Sequence, residues 1–232
     1  MPLYQTLSIN ETPTAYFWHI TEDVTSLFRA VSLSDCSNKR MEGMKSEAQQ
    51  KAFLAVRMLL LHLGYSDEDL TYDASGKPHL KREVSVTKNE NENPLPVTHC
   101  PSPNNRYISI SHSHDFAAIC VSDQEVGIDI ELRKEKILKI ASRYMNVRHL
   151  EQLSIEEQIA KATTVWGIKE AIFKIKNEKG ISFLDHIFES DFRLSDTTTQ
   201  AELHFKQQVE PFTIHFQPIA NYIFVCALRQ KV

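Results

Sequence analysis

Asp129 and Glu131 stand two residues apart in Val126-Gly127-Ile128-Asp129-Ile130-Glu131-Leu132, a stretch that alternates apolar and polar side chains. Such alternation marks a strand with unlike faces: Val126, Ile128, Ile130 and Leu132 point one way, the two acids the other. At roughly 3.3 Å of rise per residue the carboxylates lie about 6 to 7 Å apart along the strand, and side-chain reach brings both to one small cation. A third acid, Glu170, arrives from a helix in Trp166-Gly167-Ile168-Lys169-Glu170-Ala171-Ile172-Phe173-Lys174. Taken singly, each segment has a plainer reading. A solvated strand face alternates in the same way, and an exposed Glu170–Lys174 pair adds only a few tenths of a kcal/mol to a helix.

The elements that must position these groups are legible around them. Ser154 with Glu157 three residues on forms a capping-box pattern that starts a long helix, and Gly180 sets its latest end. Within it Val165, Ile168, Ile172 and Ile175 share one side, Trp166 and Phe173 another, and Glu170 and Lys174 a strip beside Trp166. An earlier helix is expected from Glu47 to about Leu63, stopped by Gly64 and carrying Arg57. Strands are expected at 15–20, 107–110, 116–121, 201–205, 212–216 and 222–228, with a shorter helix at 137–144. The close spacing of 107–110, 116–121 and the acidic strand predicts an antiparallel meander. Residues 88–105, rich in Asn, Glu, Pro and Ser, read as a surface excursion. Each half offers strands and one main helix, an α+β pattern without an obvious repeat.

Composition narrows the class. With 232 residues, 42% of them hydrophobic, the chain can bury one large core or two small ones. A formal net charge of -4 excludes a general nucleic-acid binder, so any anionic ligand needs a local basic cluster. Cys36, Cys100, Cys120 and Cys226 have no C-x-x-C spacing and read as reduced intracellular cysteines. The chain has neither a signal-peptide pattern at Met1 nor eighteen consecutive apolar residues, so a cytoplasmic protein without membrane partners is expected.

Together, Val126 to Asp129 and Trp166 to Lys174 resemble the signature of the Sfp-type 4′-phosphopantetheinyl transferase superfamily, [VI]-G-[VI]-D followed after about forty residues by [FW]-x-x-K-E-[AS]-x-x-K. Ile110-Ser111-His112-Ser113 resembles the family's I-S-H-S segment, and Gly76-Lys77-Pro78 its G-K-P turn. The resemblance runs from about Lys45 to Gly180. Departures are Gln49 and Gln50, where relatives often carry basic residues, and Met145-Asn146-Val147-Arg148-His149, which puts His where F-[ST]-x-x-E would put Glu.

The resemblance implies an α+β fold of two similar lobes, a pseudo-dimer in one chain and hence a monomer. Each lobe is a small, mainly antiparallel sheet on a long helix, residues 1–124 and 125–232, with the active site at the lobe interface. It implies a transferase of the holo-[acyl-carrier-protein] synthase type. Such an enzyme moves the 4′-phosphopantetheine arm of coenzyme A to a serine of an apo acyl or peptidyl carrier protein, with Mg²⁺, and releases adenosine 3′,5′-bisphosphate. The metal set is Asp129, Glu131 and Glu170; the catalytic set is Glu170, Lys174 and Lys169. The attacking hydroxyl's proton goes to Glu170, a metal-bound water or His149. Coenzyme A falls to His112, Lys77, Arg57, Ser111 and Pro78, each also readable as structural; Trp166 is read as core. His112 and His114 form an H-x-H without a third zinc ligand nearby. The competing readings are a non-catalytic relative that binds coenzyme A or its carrier, and a metal-dependent phosphodiesterase.

Overall fold

Residues 3–9, 13–81 and 106–230 are described by the structure, a computed structural model. The excursion expected at 88–105, with Cys100, lies outside them.

The first half of the chain runs β1 (Gln5–Ser8), β2 (Thr14–His19), α1 (Val24–Ala30), α2 (Asp35–Glu42), α3 (Glu47–His62), a short hairpin of β3 (Leu70–Tyr72) and β4 (Pro78–Leu80), then β5 (Tyr107–Ser113) and β6 (Phe116–Ser122). Strands β1, β2, β6 and β5 form, in that order, an antiparallel sheet. Helix α3 buries Ala52, Phe53, Val56, Leu59 and Leu60 against Trp18, Ile108, Ala117 and Ile119. It stops where Leu63 closes onto the Leu59 and Leu60 carbonyls and Gly64 turns the chain with φ of 79°.

The second half contains β7 (Val126–Leu132), two 3₁₀ turns (Glu135–Arg143 and Val147–Leu150), α4 (Ile155–Lys176), α5 (Phe183–His186), β8 (Ile187–Glu189), β9 (Thr198–Phe205), β10 (Gln208–Ile219) and β11 (Tyr222–Arg229). Its sheet is ordered β7-β11-β10-β9-β8 and is antiparallel throughout. The capping box is present: Ser154 Oγ accepts from Glu157 N, and the Glu157 carboxylate accepts from Ser154 N at 2.9 Å. Asn177, left-handed with φ of 47°, ends α4.

The meander does not form. Strand β6 pairs with β5 and β2, whereas β7 leaves that sheet and pairs along its length with β11. The pleat explains the exchange. Val126, Ile128 and Ile130 are apolar on one face and join Phe224, Cys226 and Leu228 in a layer packed on Ala15, Phe17, Ala118 and Cys120 of the first sheet. Burying that face needs a second sheet stacked on the first, which a fifth strand added to the first sheet would not supply. The opposite face of the second sheet, through Ile223, Val225 and Ala227, packs on Val165, Ile168 and Ile172 of α4.

Candidate active site

Two glycines let α4 lie directly on β7 and its neighbour β11. A Cβ at Gly127 would stand 1.9 Å from the Ala171 carbonyl oxygen, and one at Gly167 would stand 2.7 Å from Val225 Cγ2 and 3.7 Å from Asp129 Oδ2. The Gly in each motif is therefore a space requirement. The close approach brings Lys174, near the C-terminus of α4, onto β7: its Nζ donates to Asp129 Oδ1 at 3.0 Å, to the Ile128 carbonyl at 2.8 Å and to Ser111 Oγ at 3.2 Å.

Asp129 is buried, and its other oxygen, Oδ2, has no hydrogen-bond partner among the described residues. Burial and the charge of Asp129 push the Glu131 carboxyl up to about 7, against the hydrogen bond from Ser113 and the charge of Lys174. Glu170 is raised as well, by burial first and Asp129 next, with Lys174 opposing. The three acids thus share one electrostatic neighbourhood. They do not form a closed cage: among the described residues no three His, Cys, Asp or Glu side chains are gathered as for a metal. Lys174 takes Asp129 Oδ1 and Ser113 takes Glu131 Oε2. A magnesium ion suits such a place, since it needs only one or two carboxylates and completes its shell with water and phosphate oxygens. The orphaned Oδ2 and the raised carboxyls of Glu131 and Glu170 fit a hard divalent cation.

Beside this knot opens a cavity of about 250 Å³, lined by Arg40, Tyr72, Lys77, Pro78, His112 and Lys174 among others. It supplies the local basic cluster that an acidic chain needs for an anion. Lys77 donates from Nζ to the Ile175 carbonyl at 2.7 Å, and Asn177 Nδ2 reaches Ser75 Oγ at 2.7 Å, so the Gly76 turn docks on the end of α4. His112 is held below its ordinary pKa by desolvation first and the charge of Lys174 next, with Asp129 opposing. Arg40, over the Tyr72 ring at 4.6 Å, is a cavity residue that sequence reasoning missed. Its only signal was the Lys39-Arg40 pair in α2.

Three expected site residues, Arg57, Lys169 and His149, are engaged elsewhere, and a fourth, Ser111, is turned inward at the site. Arg57 is buried, donating from Nε to Asp67 Oδ1 at 2.8 Å and from Nη1 to the Phe53 carbonyl, with the Phe53 ring 3.5 Å from its guanidinium carbon. It is a buried cation and does not line the cavity. Lys169 points off the other side of α4, about 100° from Glu170, and is buried against Glu189 and the Ile187 carbonyl. Ser111 spends its hydroxyl inside the protein, donating to Asp129 Oδ1 at 2.8 Å while accepting from Ile130 N at 3.2 Å. His149 is exposed, and its electrostatic neighbour is Asp191, the partner of Lys161. Lys161 lies nine residues before Glu170, about 13 Å along the helix. The H-x-H pair separates too, because His114 has φ of 50° and sits in the β5–β6 turn. Trp166 packs edge-on against Tyr144 and Phe183, as a core residue does.

Comparison with known proteins agrees with the motifs. Residues 125–227 match the model of the 4′-phosphopantetheinyl transferase superfamily. The chain is similar to 4′-phosphopantetheinyl transferase psf-1 of Bacillus pumilus, 38% identical over 107 residues that cover 45% of this chain and 44% of that protein. It is also similar to 4′-phosphopantetheinyl transferase gsp of Aneurinibacillus migulanus, 29% identical over 112 residues, 47% of this chain and 45% of the relative. The chain thus spans somewhat under half the length of the curated relatives it matches. Through residues 125–227, which carry both motifs, β7 and α4, this chain is similar to the 4′-phosphopantetheinyl transferase superfamily.

Proposed function

We propose that the protein transfers the 4′-phosphopantetheine arm of coenzyme A to a serine of an apo acyl or peptidyl carrier protein, and that the site lies between two lobes, residues 1–124 and 125–232. The observation that carries this reading is the meeting of the two motifs: Lys174 Nζ bonds Asp129 Oδ1 at the rim of a cavity lined by Arg40, Lys77 and His112. Arg40 and Lys77, with Pro78 of the turn and His112, hold the phosphorylated nucleotide end of coenzyme A. Lys174 offsets charge developing on the transferred phosphoryl oxygens. Asp129, with Glu131 and Glu170 beside it, would hold Mg²⁺, which when bound neutralises and aligns the diphosphate. Glu170, raised above its ordinary value by burial and by Asp129, takes the proton of the attacking serine. Free thiols at Cys36, Cys120 and Cys226 suit a reducing cytoplasm, and two lobes in one chain suit a monomer.

The test is labelling of several apo carrier proteins by a fluorescent coenzyme A analogue with Mg²⁺ present. The wild type labels at least one of them. Asp129→Ala and Glu170→Ala lower the rate at least ~100-fold with unchanged circular dichroism. Undiminished transfer by either variant sinks the mechanism, and coenzyme A binding without product on any carrier replaces transfer by recognition alone.

A further inference from the structure

Strand β5 carries Ser109, Ser111 and Ser113 at alternate positions, all on the face turned to β7, while Ile108 and Ile110 face α3. Strand β7 is the edge of its sheet, so its outward N–H groups need partners. The three hydroxyls provide them: Ser109 Oγ accepts from Ile128 N at 2.9 Å, Ser111 Oγ from Ile130 N at 3.2 Å, and Ser113 Oγ from Leu132 N at 3.3 Å. The sheets are joined here by side chains in place of a backbone ladder. Two of the three do more. Ser111 donates its proton to Asp129 Oδ1 at 2.8 Å, and Ser113 donates to Glu131 Oε2 at 2.9 Å. A hydroxyl has one proton to give, so each of these rungs is committed to one carboxylate oxygen. Asp129 Oδ2 is left free of protein partners among the described residues.

We propose that Ser111 and Ser113 are positioning residues that fix the rotamers of Asp129 and Glu131 and so aim one oxygen of each at a divalent cation, while Ser109 only joins the sheets. This rests on the reading of Asp129 and Glu131 as cation ligands. Ligand orientation by outer hydrogen bonds typically changes metal affinity 10- to 100-fold. Ser109 is the internal control, because it makes the same bond to β7 and bonds no carboxylate among the described residues.

The experiment is a Mn²⁺ titration followed by electron paramagnetic resonance, with coenzyme A at fixed concentration and a protein-free blank. It is paired with thermal melts in chelator. Ser113→Ala and Ser111→Ala weaken Mn²⁺ binding about 10-fold or more, Ser113→Thr restores it, and Ser109→Ala leaves it within about twofold of wild type. Ser109→Ala and Ser113→Ala lower the metal-free melting temperature by similar amounts, a few degrees each. Equal Mn²⁺ affinity in Ser109→Ala and Ser113→Ala, with both folded, overturns the positioning role. Absence of Mn²⁺ binding by the wild type instead overturns the cation reading beneath it.

Discussion

Arg57 and Asp67 show how burial decides what a charge can do. Both side chains are almost wholly enclosed, and Asp67 also accepts from Ser34 N, Ser34 Oγ and Ser37 Oγ. Arg57→Ala strands the Asp67 charge and is expected to cost about 3–5 kcal/mol in urea denaturation. A phosphate ligand would instead raise KM for coenzyme A and leave stability intact. Burial alone would raise the Asp67 carboxyl, but the bonds from Ser34, Ser37 and Arg57 outweigh it and hold the group below its ordinary value. A carboxyl lowered by folding adds stability above its unfolded pKa of about 4, and that stability drains away as pH falls through the folded value. Urea midpoints measured between about pH 5 and pH 2 should fall more steeply for wild type than for Asp67→Asn.

At the scale of elements, the site depends on how closely α4 rides on β7. Gly127 faces backbone, which cannot swing aside, whereas Gly167 faces the side chain of Val225. Gly127→Ala should therefore destabilise by about 3 kcal/mol and Gly167→Ala by about 1 kcal/mol, both read by urea denaturation. Gly127→Ala should also depress carrier labelling beyond its loss of folded protein, since the shift moves Glu170 and Lys174 together. Equal effects at the two glycines would show that the helix yields as easily as a methyl group. Helix ends were legible because capping is local: Ser154 with Glu157, and Gly64 after Leu63, act through bonds a few residues long. The partner of β7 was not, because strand pairing is chosen by which apolar face must be covered, here by residues some ninety positions away.

For the molecule as a whole, the layer between the sheets is the common structural support. Phe17 of β2 meets Phe224 of β11 edge-on at 4.8 Å within it, among Ala118, Cys120, Ile128 and Cys226. Phe224→Ala is expected to cost about 3–5 kcal/mol and to lower hydrogen-exchange protection of β6 and β7 amides together, in a single denaturant transition. Loss of protection confined to the second sheet would show that the two sheets open independently. No helix among the described residues is long and apolar enough to cross a membrane.

By itself the sequence determined the two motifs, the capped helix that carries one of them, and the alternation that puts Asp129 and Glu131 on one strand face, because these depend on spacing within a single element. Tertiary structure alone decided that Lys174 belongs to Asp129, that Arg57 and Lys169 are sealed in the cores, that Arg40 lines the cavity, and that β5 serines satisfy the edge of β7. Those outcomes turn on which long side chains find a buried partner once the sheets stack. A cation buried beside a carboxylate stays there, since leaving it unpaired would cost several kcal/mol.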